Sequence, residues 1–220
     1  MRRLTLSSPT FVTVAPRPAQ DAELILPDER GIKVKRRYTI RQVRTTAASA
    51  GDGTSSDLVW DLDFVLHGQG IGARWGADAD VGDEVELYGP RGRLQLREAT
   101  WHLFVGDESA APAIAALLET LGPAQPAIVL LEVADESEQL PITRAAGQMQ
   151  LRWIHRNGQP PGQPSSLASA LAELAPRSGV GSAYVLGESR AIVALRPQLA
   201  RLGLTPDRTY LKGYWNVGRL

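Results

Sequence analysis

The chain has 220 residues and no net formal charge, because 24 Lys and Arg side chains balance 24 Asp and Glu side chains. The absence of Cys excludes disulfides, thiolate metal sites and iron–sulfur clusters, and a hydrophobic content of 43% excludes an intrinsically disordered chain. No apolar run reaches the roughly 18 residues of a membrane span, and no apolar core of a signal peptide follows the first arginines. We therefore expect a cytoplasmic protein with no membrane partner.

The first half of the chain predicts a β domain. Short apolar runs are broken by Gly, Pro and Asp, and Asp57–His67 alternates between apolar and polar residues as a half-buried antiparallel strand does. The small polar stretch Thr45–Ser56 is predicted to be a loop between two strands. The predicted strands are Leu4–Leu6, Ala22–Leu26, Arg37–Val43, Leu58–Leu66 and Val85–Tyr88. Several strands at this spacing predict a barrel or a sandwich.

The second half predicts an α/β domain, because apolar strands alternate with helices and such units form a parallel sheet. The predicted strands are Trp101–Val105, Ala127–Val133, Met149–Ile154, Ala183–Leu186 and Thr209–Lys212. The predicted helices are Ala113–Leu121, Ser165–Leu174 and Glu188–Leu202, and the first of these has Asp107 or Ser109 available as its N-cap. We place the boundary so that residues 1–98 form the β domain and residues 99–220 the α/β domain.

The most informative segment is Arg36-Arg37-Tyr38-Thr39-Ile40-Arg41, which falls on a predicted strand. A flavin dinucleotide needs cations at its pyrophosphate, an apolar or aromatic surface at its ring system and a donor near N5. Strand alternation places Arg36 and Tyr38 on one face and Arg37 and Thr39 on the other. The alternative is a basic edge strand that discourages aggregation.

This segment resembles the flavin motif of the ferredoxin–NADP reductase superfamily, and its extended form is similar to that of the siderophore-interacting protein family. Further segments resemble that family in the same order along the chain: His67–Trp75, Gly89–Gly92, Gly106–Ile114, Gly187-Glu188, and Tyr210–Trp215 with Gly218. The chain departs from the family at Ile71 and Gly72, where the family has Pro and Ala. Family members also usually carry a further strand before the segment that matches Met1–Leu6, so we expect a shortened start or one strand fewer.

The resemblance implies an antiparallel FAD-binding β-barrel followed by a parallel-sheet α/β domain that binds NAD(P)H. It implies that Arg36 pairs with the FAD pyrophosphate, that Tyr38 lies against the isoalloxazine and that Thr39 hydrogen-bonds near N5. Tyr38 and Thr39 are therefore the candidate catalytic residues, and Arg41 and Lys212 are candidates for binding an anionic ferric siderophore. The candidate cofactor-binding residues are Arg36, Arg37, Tyr38, Thr39, Arg41, His67, Gly72, Ala73, Arg74, Trp75, Asp107, Ser109 and Trp215.

Several of these candidates have a second interpretation. The backbone N–H groups of Gly72, Ala73 and Arg74 are expected to face the FAD phosphates. His67 is either a cofactor contact or a residue that ends a strand, and Trp75 is either a cofactor contact or a core tryptophan. Trp215 is expected near the isoalloxazine, with a hydrophobic clasp between the domains as the alternative.

The electron donor stays open at this point. The second half lacks the Gly-x-Gly-x-x-Gly fingerprint of dinucleotide binding. Glu132 at the end of a strand favours the ribose of NADH, whereas Arg156 or Arg152 favours the 2′-phosphate of NADPH. Residues 141–220 carry 10 basic and 3 acidic side chains, which favours NADPH.

The function implied by the resemblance is a ferric-siderophore reductase that passes electrons from NAD(P)H through FAD to chelated Fe(III). The alternatives are a general NAD(P)H:acceptor reductase, a reductase supplied by ferredoxin, and a siderophore-binding module without redox chemistry. No metal bound by the protein is expected, because His67, His102 and His155 lack ligand spacing. Nucleic acid is not an expected partner, because no basic run is interleaved with aromatic residues.

Overall fold

The computed structural model describes residues 1–46, 58–66, 70–144 and 147–218. The chain forms two compact units, Met1–Gln95 and Leu96–Leu220, which we call the β unit and the α/β unit. Among the described residues, no helix combines the length and the apolar character that crossing a membrane requires.

The β unit contains an antiparallel sheet of five strands in the order β1-β4-β3-β2-β5. Its elements are β1 (Arg2–Ser7), β2 (Asp21–Pro27), β3 (Lys33–Thr45), β4 (Leu58–Phe64), helix α1 (Ile71–Asp78) and β5 (Glu86–Arg91), with a short 3-10 helix at Pro9–Thr13. The expected antiparallel β architecture is confirmed. Most of the predicted loop Thr45–Ser56 falls outside the described residues.

Strand β3 is 13 residues long and changes partner along its length. Residues Lys33–Thr39 pair with β2, and the strand then pairs with β4 from Ile40 onward. The register shifts between Ile40 and Gln42, so Arg41 occupies a bulge where the strand bends. The bend lets one strand carry the Arg36–Arg41 motif from one half of the sheet to the other.

Strand β4 has one apolar face, which packs into the core of the β unit, and one face with acidic side chains. Trp60, Leu62 and Phe64 point into the core, where Trp60 stacks on Phe11 with ring centroids 3.9 Å apart. Between them, Asp61 and Asp63 point to the opposite face, as strand alternation requires. The sequence Asp57–His67 therefore behaves as the alternating strand that it was predicted to be, over the described residues Leu58–Phe64.

The α/β unit has a parallel sheet in the order β10-β9-β6-β7-β8, which confirms the expected fold class. Its strands are β6 (Trp101–Asp107), β7 (Ala127–Val133), β8 (Met149–His155), β9 (Gly181–Glu188) and β10 (Thr209–Trp215). Its helices are α2 (Ala111–Leu118), α3 (Ser165–Ala172), α4 (Ser189–Ala194) and α5 (Arg196–Arg201), with short 3-10 helices at Glu136–Glu138 and Pro206–Arg208. Because the strands are parallel, their carboxyl ends share one edge of the sheet.

Two helix predictions are wrong in detail. The predicted helix Glu188–Leu202 is two helices that meet at Leu195, because Pro197 has no N–H to continue the helical bonding and its ring crowds the preceding turn. Helix α2 has Ala110 at its N-cap position and no side-chain cap, so neither Asp107 nor Ser109 caps it. Asp107 accepts hydrogen bonds from other groups instead.

Candidate functional site

One face of β3 carries Arg36 and Tyr38, and we call it the Tyr38 face. The guanidinium of Arg36 donates to the carbonyl of Lys35 at 3.0 Å. No carboxylate among the described residues forms an ion pair with it. A partly buried guanidinium without an anion is a binding group for phosphate, because its fork matches two phosphate oxygens.

Tyr38 lies beside Arg36 and packs inward. Its ring centroid is 4.0 Å from that of Phe64, with the ring planes tilted by 32°, and its hydroxyl lies against Gly72 of α1. Burial raises the pKa of Tyr38 to about 12, so the phenol is neutral at physiological pH. Thr39 follows on the strand and is buried opposite Asp21 of β2. The structure therefore places Arg36 and Tyr38 on one face of β3, and Thr39 follows Tyr38 with its side chain buried.

The opposite face of the same strand carries a set of ion pairs centred on Glu23. Lys35, Arg37 and Arg91 approach its carboxylate at 3.1, 3.3 and 3.6 Å. The hydrogen bond from Lys35 holds the pKa of Glu23 below its usual value against the effect of burial, and Arg37 and Arg91 act in the same direction as Lys35. Arg37 thus points away from Arg36 and Tyr38 and pairs with Glu23, an arrangement that argues against its predicted role as a cofactor residue.

The start of α1 also borders Tyr38. Gly72 and Ala73 are buried in the first turn, where backbone N–H groups have no acceptor within the helix. The N–H of Arg74, by contrast, donates to the carbonyl of Gly70 at 3.1 Å, and its guanidinium pairs with Glu29 at 2.9 Å. The Arg74 N–H is therefore used within the helix, contrary to its predicted role at a phosphate, whereas the roles of Gly72 and Ala73 stay predictions.

Other candidates in the β unit have different outcomes. Trp75 packs against the core with its ring 5.5 Å from Phe64, which supports its interpretation as a core tryptophan. Arg41 is partly buried in the β3 bulge. His67 lies outside the described residues.

In the α/β unit, Asp107 ends β6 and is buried. Its carboxylate accepts hydrogen bonds from the N–H and hydroxyl of Ser109, from the N–H of Glu188 at 2.9 Å and from the indole of Trp215 at 2.8 Å. Burial and the charge of Glu108 raise the pKa of Asp107, while these donors oppose the rise. Both oxygens of Asp107 accept hydrogen bonds within the unit, which gives this carboxylate a structural role, and the role of Asp107 and Ser109 as cofactor ligands stays a prediction.

The residues after β10 are held by the same edge. The hydroxyl of Ser189 donates to the carbonyl of Trp215 at 3.0 Å, and the carboxylate of Glu188 accepts from the N–H of Val217 at 3.2 Å. With its indole bound to Asp107, Trp215 is fixed at the carboxyl edge of the sheet. Lys212 lies on β10 with its ammonium 4.8 Å from the ring centroid of Tyr214.

The same edge carries an ion-pair network that the sequence analysis missed. Arg156 forms two bonds to Glu108, at 2.7 and 2.8 Å, and lies 3.5 Å from Glu132. Burial raises the pKa of Glu132 to about 7, against the opposing charge of Arg156, and one of its oxygens is buried without a hydrogen-bond partner. Arg152 pairs with Glu173 of the turn after α3. Both arginines expected to bind a 2′-phosphate are thus paired with carboxylates.

Neither unit shows a built metal site in its described part: no three His, Asp or Glu side chains are grouped there to hold an ion.

An antiparallel β unit followed along the chain by a parallel α/β unit defines the ferredoxin reductase-like class of folds. The FAD/NAD-binding domain of a nitric oxide dioxygenase from Vibrio cholerae has this fold, with a TM-score of 0.69 at 17% identity, over 97% of this chain and 92% of that one.

Within that class, residues 99–218 match the family model of siderophore-interacting proteins, and residues 2–94 match that of the siderophore-interacting FAD-binding domain. The chain therefore belongs to the siderophore-interacting protein family, as its motifs predicted. The crystal structure of a siderophore utilization protein from T. fusca superposes with a TM-score of 0.81 at 29% identity, over 99% of this chain and 87% of that one.

Two relatives have names that state an activity. Ferric vibriobactin reductase ViuB of Vibrio cholerae is 36% identical over 192 residues, which are 84% of this chain and 66% of that protein. The NADPH-dependent ferric-chelate reductase of Escherichia coli is 26% identical over 160 residues, which are 71% of this chain and 60% of that protein. This chain thus matches about two thirds or less of the length of each relative.

Proposed function

We propose that this protein is a FAD-dependent reductase that passes electrons from a nicotinamide donor to Fe(III) held by a siderophore. The observation that carries the proposal is the Tyr38 face. It offers Arg36, which pairs with no carboxylate in the described part of the chain, beside the partly buried Tyr38, in the unit that matches an FAD-binding domain. The names of the two relatives support the choice of a ferric chelate as the acceptor.

The residues present fit FAD. Arg36 would hold the pyrophosphate, assisted by the N–H groups in the first turn of α1, and Tyr38 would present its ring to the isoalloxazine while Thr39 hydrogen-bonds near N5. When bound, FAD supplies the conversion between a two-electron hydride donor and a one-electron acceptor. The Tyr38 hydroxyl stays protonated, because burial holds its pKa at about 12.

The substrate chemistry explains why reduction releases iron. Siderophore oxygens are hard ligands, which hold Fe(III) far more tightly than Fe(II). Lys212 and Arg41 remain our candidates for attracting the anionic chelate, because both side chains are cationic and the family resemblance implies this role for them.

For the donor, the carboxyl edge of the α/β unit favours NADH. Arg156 is held by Glu108 and Arg152 by Glu173, so neither is available to a 2′-phosphate without breaking an ion pair. This reverses the preference for NADPH that the basic excess of residues 141–220 suggested. Reduced ferredoxin is the alternative donor, and a side-by-side comparison of the three donors distinguishes them.

The test of the proposed function is anaerobic. The purified full chain is reconstituted with FAD, the flavin is reduced photochemically, and ferric catecholate, hydroxamate and citrate chelates are added with an Fe(II) trap present. We expect the flavin to reoxidise with about two Fe(II) trapped per flavin, since iron accepts one electron and reduced FAD gives two. A flavin that stays reduced with every chelate, or a chain that binds no FAD, would contradict the proposal.

A further inference from the structure

The first turn of α1 and the ring of Tyr38 occupy adjoining space with no room between them. Gly72 is the second residue of the helix and is buried. A methyl group on residue 72 would lie 1.9 Å from the hydroxyl oxygen of Tyr38 and 2.9 Å from its Cζ. Carbon does not approach other atoms so closely without displacing them, so any side chain at residue 72 must move the phenol.

On its other side, the Tyr38 ring packs on Phe64, with centroids 4.0 Å apart. Phe64 in turn lies against Gly76, where a methyl group would be 2.5 Å from a ring carbon. Gly72 and Gly76 are four residues apart and therefore share one face of α1. Two glycines on this face thus let the neighbouring rings of Tyr38 and Phe64 lie directly on the helix backbone.

The backbone conformation does not require glycine at residue 72. Gly72 lies in the regular part of α1 and is not among the glycines with a positive φ. Glycine also weakens a helix relative to alanine, because the unfolded chain has more freedom to lose. Space for Tyr38 is therefore the reason that the structure gives for a glycine here.

We infer that Gly72 is a positioning residue for Tyr38. Its missing side chain lets the phenol lie deep against α1, and this depth determines how far the ring extends on the Tyr38 face toward the bound flavin. The inference rests on the proposed function only in that last step, since the contact between Gly72 and Tyr38 is a property of the protein alone.

The first experiment uses the full chain without FAD, so that it does not depend on the proposed function. The five tyrosines are labelled with ¹³C in the ring, and the Tyr38 signal is assigned by its loss in Tyr38→Phe. We expect Gly72→Ala to shift the Tyr38 signal toward the position of an exposed tyrosine, because the ring leaves Phe64, while the other four signals stay in place. An unchanged Tyr38 signal would overturn the inference.

The second experiment measures FAD dissociation constants in a double-mutant cycle of Gly72→Ala and Tyr38→Phe. We expect Gly72→Ala to weaken FAD binding about tenfold when Tyr38 is present and less than about threefold when Phe replaces it, because the hydroxyl is the atom that overlaps most with the new methyl group. Equal losses in the two backgrounds would show that residue 72 does not act through Tyr38.

Ala77→Gly is the matched control, because Ala77 is exposed on the same helix. It weakens the helix, and we expect it to leave both the Tyr38 signal and FAD affinity unchanged. If Gly72→Ala does not fold, the double variant decides: a folded double variant that binds FAD supports the inference, and one that fails equally contradicts it. If the wild-type chain binds no FAD, the proposed function fails while the NMR result still tests the contact.

Discussion

On the outer face of the β unit's sheet, the buried carboxylates Glu23 and Asp61 pair with cations, whereas at the carboxyl edge of the α/β unit two described carboxylates, Glu108 and Glu132, share Arg156. Glu23 has three cationic neighbours, and Asp61 accepts two bonds from Arg44 at 2.6 and 2.7 Å. The pKa of each of these two acids is lowered. In the α/β unit, by contrast, the pKa values of Asp107 and Glu132 are raised.

The difference separates two uses of charge. On the outer face of the β unit, Lys35, Arg37 and Arg91 form ion pairs with Glu23. Arg36 lies on the Tyr38 face, where it is the cation that we propose for a ligand. At the edge of the α/β unit, burial and hydrogen bonds hold an excess of carboxylates, which opposes the binding of a further phosphate there. Under the proposed function, this contrast favours an anionic cofactor on the Tyr38 face and disfavours an extra phosphate at the edge of the α/β unit.

We expect the largest effect on stability from a substitution that disrupts the hydrogen bonds of Asp107. In Asp107→Asn the amide NH₂ must face donors that the carboxylate accepted, so we expect a loss of about 3 kcal/mol in the free energy of unfolding. Urea unfolding of the full chain measures it. Ser109→Ala is the matched control and removes one donor, for an expected loss of about 1 kcal/mol. A loss below about 1 kcal/mol for Asp107→Asn would show that the edge does not depend on this carboxylate.

The second prediction compares how the stability of the fold depends on pH when Asp61 or Glu132 is replaced by its amide. Although burial alone would raise it, the hydrogen bonds from Arg44 and Thr5 hold the pKa of Asp61 below its usual value, so Asp61 stabilises the fold above the unfolded pKa and loses this effect as pH falls. We therefore expect Asp61→Asn to lose about 1–3 kcal/mol at neutral pH and to approach wild-type stability in acid.

For Glu132 the sign is reversed. Its folded pKa of about 7 lies above the unfolded value, so the folded state is progressively disfavoured as pH rises from the unfolded pKa to about 7, and the penalty is constant beyond. We expect Glu132→Gln to be more stable than wild type by about 1–3 kcal/mol above that range and equal to it in acid. Thermal melts of Asp61→Asn and Glu132→Gln across this pH range measure the difference. If both variants were destabilised, or both stabilised, at neutral pH, the prediction would be wrong.

The smallest effect concerns the donor. Glu108→Gln releases Arg156 from its two-bonded partner, so we expect the ratio of kcat/KM for NADPH to that for NADH to rise severalfold, by about 1 kcal/mol. Glu173→Gln, which releases Arg152 instead, is the comparison variant. A ratio that stays at the wild-type value in both would mean that neither arginine can reach a 2′-phosphate.

Sequence patterns were enough to predict the order of the strands, because apolar alternation and Pro or Gly breaks act locally, but they missed helix α1 and the division of the last helix at Leu195. The same local reasoning placed Arg36 and Tyr38 on one strand face. It could not assign partners to Arg37 or Arg156, because those ion pairs join residues 14 and 48 positions apart and depend on strand register and on which strands share an edge.

The misassigned residues show the same limit. Asp107 and Ser109 form a motif that looks like a helix cap, yet Asp107 bonds to Trp215, which lies 108 residues away. The contact between Gly72 and Tyr38 had one sequence signal, the departure from the family's Ala. Its physical reason, the overlap with the phenol, required the packing of α1 on β3.

The most direct test of the account is a fluorescence titration of FAD against wild type, Arg36→Ala and Arg37→Ala. These adjacent arginines have the same charge and differ in the face of β3 on which they lie. We predict that Arg36→Ala weakens FAD binding by about 10- to 100-fold, as the loss of a charge-assisted hydrogen bond worth about 1.5–3 kcal/mol implies, and that Arg37→Ala changes it less than about threefold. Equal losses for the two variants, or a larger loss for Arg37→Ala, would contradict the assignment of the Tyr38 face as the flavin site.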